Sequence, residues 1–166
     1  TVPMSSISPP GSPPSPTMSM SSLQDLPLKF DSLQLTDRKL KVMIVDDNDI
    51  NLTILSRMLQ HHFADTVEIA AVMTSGTEAL ERLAQEEVDL ILMDIDMPDL
   101  TGVETTAAIR QATPEHPILE ANQQVPIIAV TTSDGAAQRE VYQQVGMCDC
   151  VSKPIALPKL RFAIEN

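Results

Sequence analysis

Aromatic residues are scarce: they make up 2% of the 166 residues, with no tryptophan, one tyrosine and three phenylalanines. A core must therefore be built from Leu, Ile, Val, Met and Ala, within an ordinary apolar fraction of 43%. Positive charge is short too. Eleven Lys and Arg stand against 23 Asp and Glu, a net charge of −12. That excludes nonspecific nucleic-acid binding, which needs a basic surface. It admits cations and basic partners, over what is mostly a solvated acidic surface. The two cysteines, Cys148 and Cys150, are too few for a disulfide framework. No apolar run approaches the ~20 residues of a membrane helix, so no membrane association is expected. There is no signal-peptide pattern, Gly-rich phosphate loop, kinase nucleotide site or zinc spacing. The chain starts at Thr1 rather than Met, so Thr1 is not taken as the protein's natural start. An intracellular, reducing compartment is expected, the cytoplasm first and the nucleus second.

What is present divides in two. "TVPMSSISPPGSPPSPTMSMSS" is rich in Pro, Ser and Met and carries no charge. Such a segment cannot bury enough surface to offset its ordering entropy. Residues 1–39 are read as a Pro/Ser-rich disordered leader, and residues 40–166 as the folded domain. The leader's charges cancel, Asp25, Asp31 and Asp37 against Lys29, Arg38 and Lys39, so the domain carries the whole net charge. Ser8-Pro9, Ser12-Pro13 and Ser15-Pro16 offer sites to proline-directed kinases, although a plain linker is the simpler reading. The apolar residues of "LQDLPLKFDSLQL" suit docking on the domain or on a partner.

From Leu40 strands and helices alternate. "LKVMIVDD" is a β-branched apolar run ending in acids, read as a buried strand. "NLTILSRMLQHHF" has apolar residues at helical spacing. "TVEIAAV" is a second strand, and Ser75 opens a helix with Glu78 as its capping-box partner. "VDLILMD" is a third strand. Thr101 and Glu104 form a second capping box, opening a helix through Ile109. "PIIAVTT" is a fourth strand, followed by a helix from Asp134 to Val145. "CDCVS" is a short fifth strand and Leu157 to Glu165 a last helix. Apolar strands covered on both faces and alternating with helices predict an α/β protein with a parallel sheet. In such sheets ligands bind beyond the carboxyl ends of the strands.

The unusual polar residues fall at those ends. Asp46 and Asp47 follow the first strand, Asp94 ends the third, Thr131 ends the fourth, and Lys153 follows the fifth. Three close carboxylates repel one another and require a compensating charge. An oxygen-lined acidic site of this kind suits Mg²⁺. One carboxylate can then attack phosphorus and form an acyl phosphate. Lys153 and Thr131 are placed to hold the phosphoryl oxygens. Asp94 is accordingly read as a phosphate acceptor, kept ionised by its surroundings.

The motifs "VMIVDDN", "DLILMDIDMPDLTG", "VPIIAVTT" and "SKPI" resemble those of a response-regulator receiver domain, over roughly the last three quarters of the chain. The resemblance implies a doubly wound, flavodoxin-like sheet of five parallel strands, order 2-1-3-4-5, with helices on both faces. It implies Asp94 as the phosphoacceptor and as a Mg²⁺ ligand, with Asp47 as a direct Mg²⁺ ligand. Asp46 would bind the metal directly or through water, and Asp96 through its backbone carbonyl. Thr131 and Lys153 would hold the phosphoryl group. The implied donor is a phosphohistidine on a histidine phosphotransfer protein or histidine kinase, within a two-component phosphorelay. Phosphorylation would draw Thr131 inward and reshape the face of the fourth helix, fifth strand and fifth helix, where a downstream effector would bind. Such a domain is not an enzyme beyond its own phosphorylation and slow dephosphorylation. The proline-rich leader and "VDDNDIN" suggest a fungal-type stress regulator.

Some positions depart from the family pattern. Its usual aromatic switch position falls on Cys150, which has no ring to swing, so a Thr131–aromatic switch is not expected. Thr132 replaces a frequent small residue and narrows access to the phosphoryl group. Asp96 and Ser133 occupy positions that tune dephosphorylation. Cys148 and Cys150 are read as buried, inert thiols on one face of a strand. Ile50 and Leu52 are expected at the exposed edges of the first helix as contacts for the phosphoryl donor. "TPEHPILEANQQ" is read as a long polar loop that sets partner choice. Two alternatives compete. One is a degenerate receiver acting as a binding module without phosphorylation. The other is a haloacid-dehalogenase-type phosphatase, suggested by the Asp-x-Asp of "MDIDMP", whose second acidic pair would then stand in the wrong order.

Overall fold

A computed structural model describes residues 38–165, so the expectations for residues 1–37 lie outside the described residues. Strands β1 (Leu40–Val45), β2 (Val67–Met73), β3 (Leu90–Asp94), β4 (Ile127–Thr131) and β5 (Asp149–Ser152) alternate with helices α1 (Asp49–His62), α2 (Gly76–Leu83), α3 (Gly102–Gln111), α4 (Ala136–Val145) and α5 (Leu157–Glu165). All strand pairs are parallel, in the order β2-β1-β3-β4-β5. This is the doubly wound sheet expected.

Strand alternation sorts the apolar residues into two cores. Met43, Val45, Ile91, Met93, Ile127 and Ala129 pack with α2, α3 and α4. Val42, Ile44, Leu90, Leu92, Ile128 and Val130 pack with Leu52, Leu55 and Leu59 of α1 and Leu160 of α5. The central strands β1, β3 and β4 are thus apolar on both sides, and their sequences read as continuous runs. Register shifts between Val42 and Met43 in the β1–β2 pair, so β2 carries one extra residue there.

Several boundaries differ from the sequence expectation. The Thr101–Glu104 capping box is present in full. At α2 only half of one forms: Ser75 accepts from the Glu78 N–H, but the Glu78 carboxylate turns to the N–H and hydroxyl of Thr74. Helix α4 begins at Ala136 rather than Asp134, whose carboxylate instead accepts from the Ser152 hydroxyl. The loop before β4 is not wholly polar. Ile118 and Asn122 are buried in it, while Glu115, His116 and Pro117 stay exposed. Leu52 is also buried, 5% exposed, because the core-facing stripe of α1 is Leu52, Leu55 and Leu59. The exposed apolar residues of α1 are Ile50 and Ile54, so Leu52 is no surface contact.

Candidate functional site

Asp46 and Asp94 stand at the carboxyl ends of neighbouring strands, because β1 pairs with β3 through Val45 opposite Met93. Both are 5% exposed. Asp47 is exposed beside them. Each of the three offers a carboxylate oxygen, and these oxygens lie within 4.8 Å of one another. Lys153 reaches in from beyond β5, its backbone N–H held by the Thr131 carbonyl at 2.9 Å. Its ammonium donates to Asp94 Oδ1 at 2.8 Å and to Asp46 Oδ2 at 3.2 Å. The Lys153–Pro154 peptide is cis.

Local structure holds these groups. Asn48 caps α1 by accepting from the N–H groups of Ile50 and Asn51, and its own N–H donates to Asp46 Oδ1 at 2.9 Å. The cap therefore aims Asp46 at Lys153. Beyond Asp94, Gly102 lies against the strand end. A Cβ there would meet the Asp94 carbonyl oxygen at 2.1 Å and Ile95 Cα at 2.9 Å. Only glycine lets α3 start so close to the end of β3.

Electrostatics set the site apart. Burial pushes the Asp94 carboxyl up to about 6, opposed by the Lys153 hydrogen bond, with the Asp46 and Asp47 charges pushing further up. The surroundings thus raise the Asp94 pKa, and at about 6 the carboxyl is still mostly ionised at neutral pH. Lys153 limits the shift. Burial opposes the lysine's own charge, but the Asp94 hydrogen bond and the Asp94 and Asp46 charges outweigh it and raise its pKa. Two buried carboxylates thus share one ammonium, and a third carboxylate, Asp47, stands beside them. A divalent cation with oxygen preference fits that donor set, since it supplies the missing positive charge.

Thr131 is buried at the end of β4, where Asp94 pairs with Val130, one strand over. Its hydroxyl accepts from the Ser133 N–H at 3.0 Å. The Asp96 side chain is exposed and outside the three-carboxylate group, and Thr132 is exposed. Cys148 is exposed, precedes β5 and, with half-buried Cys150, lines an open groove of about 450 Å³ beside Arg139, Tyr142 and Gln143. The two cysteines therefore face one side, but they are not the buried thiols expected. Beside Lys153, an apolar hollow of about 170 Å³ is lined by Asn51, Ile54, Leu55, Pro154 and Ile155.

The sequence model of the response regulator receiver domain matches residues 42–165. The chain belongs to this family. The match also decides between the receiver and phosphatase readings in favour of the receiver, a signalling domain of two-component and phosphorelay systems rather than a conventional enzyme. The receiver is 39% identical over 131 residues to the signal transduction histidine-protein kinase BarA of Escherichia coli strain K12, covering 77% of this chain and 13% of that protein. It thus spans only about an eighth of that relative's length. Among solved structures, it is similar to the receiver domain of the sensor histidine kinase PA1611 from Pseudomonas aeruginosa, which has magnesium coordinated in its active-site cleft. Identity is 29% and the TM-score 0.63, over 77% of this chain and 96% of that one. It is also similar to the Saccharomyces cerevisiae co-crystal of the histidine phosphotransfer protein Ypd1 with the receiver domain of its response regulator Ssk1. There identity is 29% and the TM-score 0.61, over 74% of this chain and 84% of that one.

The sequence missed Asn48 and Gly102, and the contact of Tyr142, whose hydroxyl donates to the Ser133 carbonyl. An Asn directly before a helical pattern is a cap signal, and it identifies Asn48. Nothing local to Gly102 or Tyr142 reports what they touch.

Proposed function

We propose that this receiver accepts a single phosphoryl group on Asp94 from a phosphohistidine, and that the phosphorylated form switches the binding of a downstream partner. The observation that carries the reading is the ammonium of Lys153 bridging Asp94 and Asp46 while a third carboxylate stands within reach. In the transfer, an Asp94 carboxylate oxygen attacks phosphorus and the P–N bond to histidine breaks. The imidazole keeps the electron pair and takes up a proton. Asp94 is positioned by β3 and by the close approach of Gly102. Lys153, already at 2.8 Å, turns from the carboxylate to a phosphoryl oxygen as charge develops there. Thr131 provides a second donor. Asp46, Asp47, Asp94 and the Asp96 backbone carbonyl would hold Mg²⁺, which would supply positive charge to the phosphoryl oxygens.

The receiver extends from Leu40, where β1 begins. The donor is a histidine phosphotransfer protein or a histidine kinase. It docks beside the active site on the exposed apolar side of α1, at Ile50 and Ile54, where the hollow beside Lys153 opens. The downstream effector meets the α4–β5–α5 face. Two experiments test this. Incubation with Mg²⁺ and acetyl phosphate adds one phosphoryl mass to the wild type and none to Asp94→Asn. No adduct on the wild type supports a binding module that is never phosphorylated. Replacing Ile50 and Ile54 with Ala slows transfer from a phosphohistidine donor while labelling by acetyl phosphate is unchanged. Equal slowing of both reactions would remove the docking assignment.

A further inference from the structure

The chain has one tyrosine, and it lies on α4. The Tyr142 ring is 4% exposed and belongs to the core that includes Ala129 of β4, with Cys150 of β5 packed against it. A buried phenol needs an acceptor. Here the hydroxyl donates to the Ser133 carbonyl at 2.6 Å. The N–H of that same Ser133 donates to Thr131 Oγ1 at 3.0 Å. Thr131 and Tyr142 therefore hold opposite ends of one loop residue. Burial raises the phenol's pKa and a side-chain interaction with Thr131 lowers it, which places the two side chains in each other's field.

We propose that Tyr142 is a positioning residue that couples Thr131 to the α4–β5 groove, so that an aromatic on α4 does the work that Cys150 cannot. The inference rests on the reading of Asp94 as phosphoacceptor. When the Thr131 side chain swings to donate to a phosphoryl oxygen, Oγ1 is carried away from the Ser133 N–H, which loses its acceptor. The loop from Thr132 to Gly135 must rearrange, and its carbonyl moves with it. The Tyr142 hydroxyl follows that carbonyl, because a buried unpaired hydroxyl is costly. Tyr142 also lines the groove shared by Arg139, Cys148 and Cys150, so its displacement changes the shape of that groove. A two-state shift at the site is thereby read out on the surface.

The composition makes the test direct. With one tyrosine and no tryptophan, intrinsic fluorescence reports Tyr142 alone. Mg²⁺ and beryllofluoride are added to the wild type, Asp94→Asn and Tyr142→Phe. Tyrosine emission and the alkylation rates of Cys148 and Cys150 are then measured. Intact mass after acetyl phosphate reports the adduct. Emission is expected to change in the wild type and not in Asp94→Asn. Tyr142→Phe is expected to take the full phosphoryl mass, yet its thiols should react at equal rates with and without beryllofluoride. A merely structural tyrosine gives no beryllofluoride-dependent emission, and leaves the thiol response of Tyr142→Phe intact. Either result overturns the proposal, and the emission arm needs no variant to fold. A wild type without an adduct overturns the Asp94 reading and the coupling together.

Discussion

Two buried polar clusters lie at opposite ends of the sheet, and they are built on different terms. At the amino end, Asn122 is fully buried. Its Nδ2 donates to the carbonyls of Leu83 at 2.9 Å and Glu86 at 2.8 Å, and its Oδ1 accepts from the Val88 N–H at 3.1 Å. One neutral side chain thus satisfies three backbone groups and ties the end of α2 to the entry of β3. At the carboxyl end, Asp46 and Asp94 are nearly as buried, but both are acids and share one ammonium. The first cluster is complete and contributes stability. The second is short of positive charge, which lowers stability and fits the cation and phosphoryl group proposed for it. The difference shows where the molecule is made for holding together and where it is made for chemistry.

The sharpest way to break the contrast is Asn122→Ala. It leaves three backbone groups without a partner and should destabilise by about 3–5 kcal/mol in urea unfolding. The folded fraction should still be phosphorylated. A small change would mean that water replaces the amide. Next in size is magnesium. At a hundred times its dissociation constant it should stabilise the wild type by about 2.7 kcal/mol. The double variant Asp47→Asn, Asp94→Asn should respond far less, and an equal response would place the cation elsewhere.

Removing the Asp94 charge gives a smaller and opposite effect. The Asp94 carboxyl is raised from 3.8 to about 6 in the fold. The native state therefore binds more protons than the unfolded chain between those values, and this group's contribution is present below about pH 4. It is lost as pH rises through 6. Asp94→Asn, free of that loss, should be more stable than the wild type by about 1–2 kcal/mol at pH 7.5 without magnesium. The gain should shrink toward pH 4, and a gain independent of pH would contradict the assignment. Smallest is Thr101→Ala, which removes a neutral, satisfied cap near the site. About 1 kcal/mol should be lost at every pH.

The strands were legible because burial on both faces produces continuous apolar runs, and Asp94 stood out because it ends one. The topology then brought Asp46, Asp47, Asp94 and Lys153 together where the sequence placed them. Other features depend on what arrives from far along the chain. Leu52 reads as an arc edge on the bare helix, yet it is covered by the sheet. Glu78 sees both Ser75 and Thr74 as partners and takes Thr74. Asn122 reads as loop composition until Leu83, Glu86 and Val88 surround it. Tyr142 lies nine positions from Ser133, and only the fold of α4 brings its hydroxyl onto that carbonyl.

The most direct test of the central claim locates the phosphoryl group chemically. The wild type is phosphorylated with acetyl phosphate and Mg²⁺, reduced at once with borohydride and digested, and its peptides are sequenced by mass spectrometry. Reduction of an aspartyl phosphate leaves homoserine in place of the acid. The account predicts homoserine at position 94 alone. Homoserine at position 46, 47 or 96, or none at 94 in protein that carries the phosphoryl mass, would contradict it.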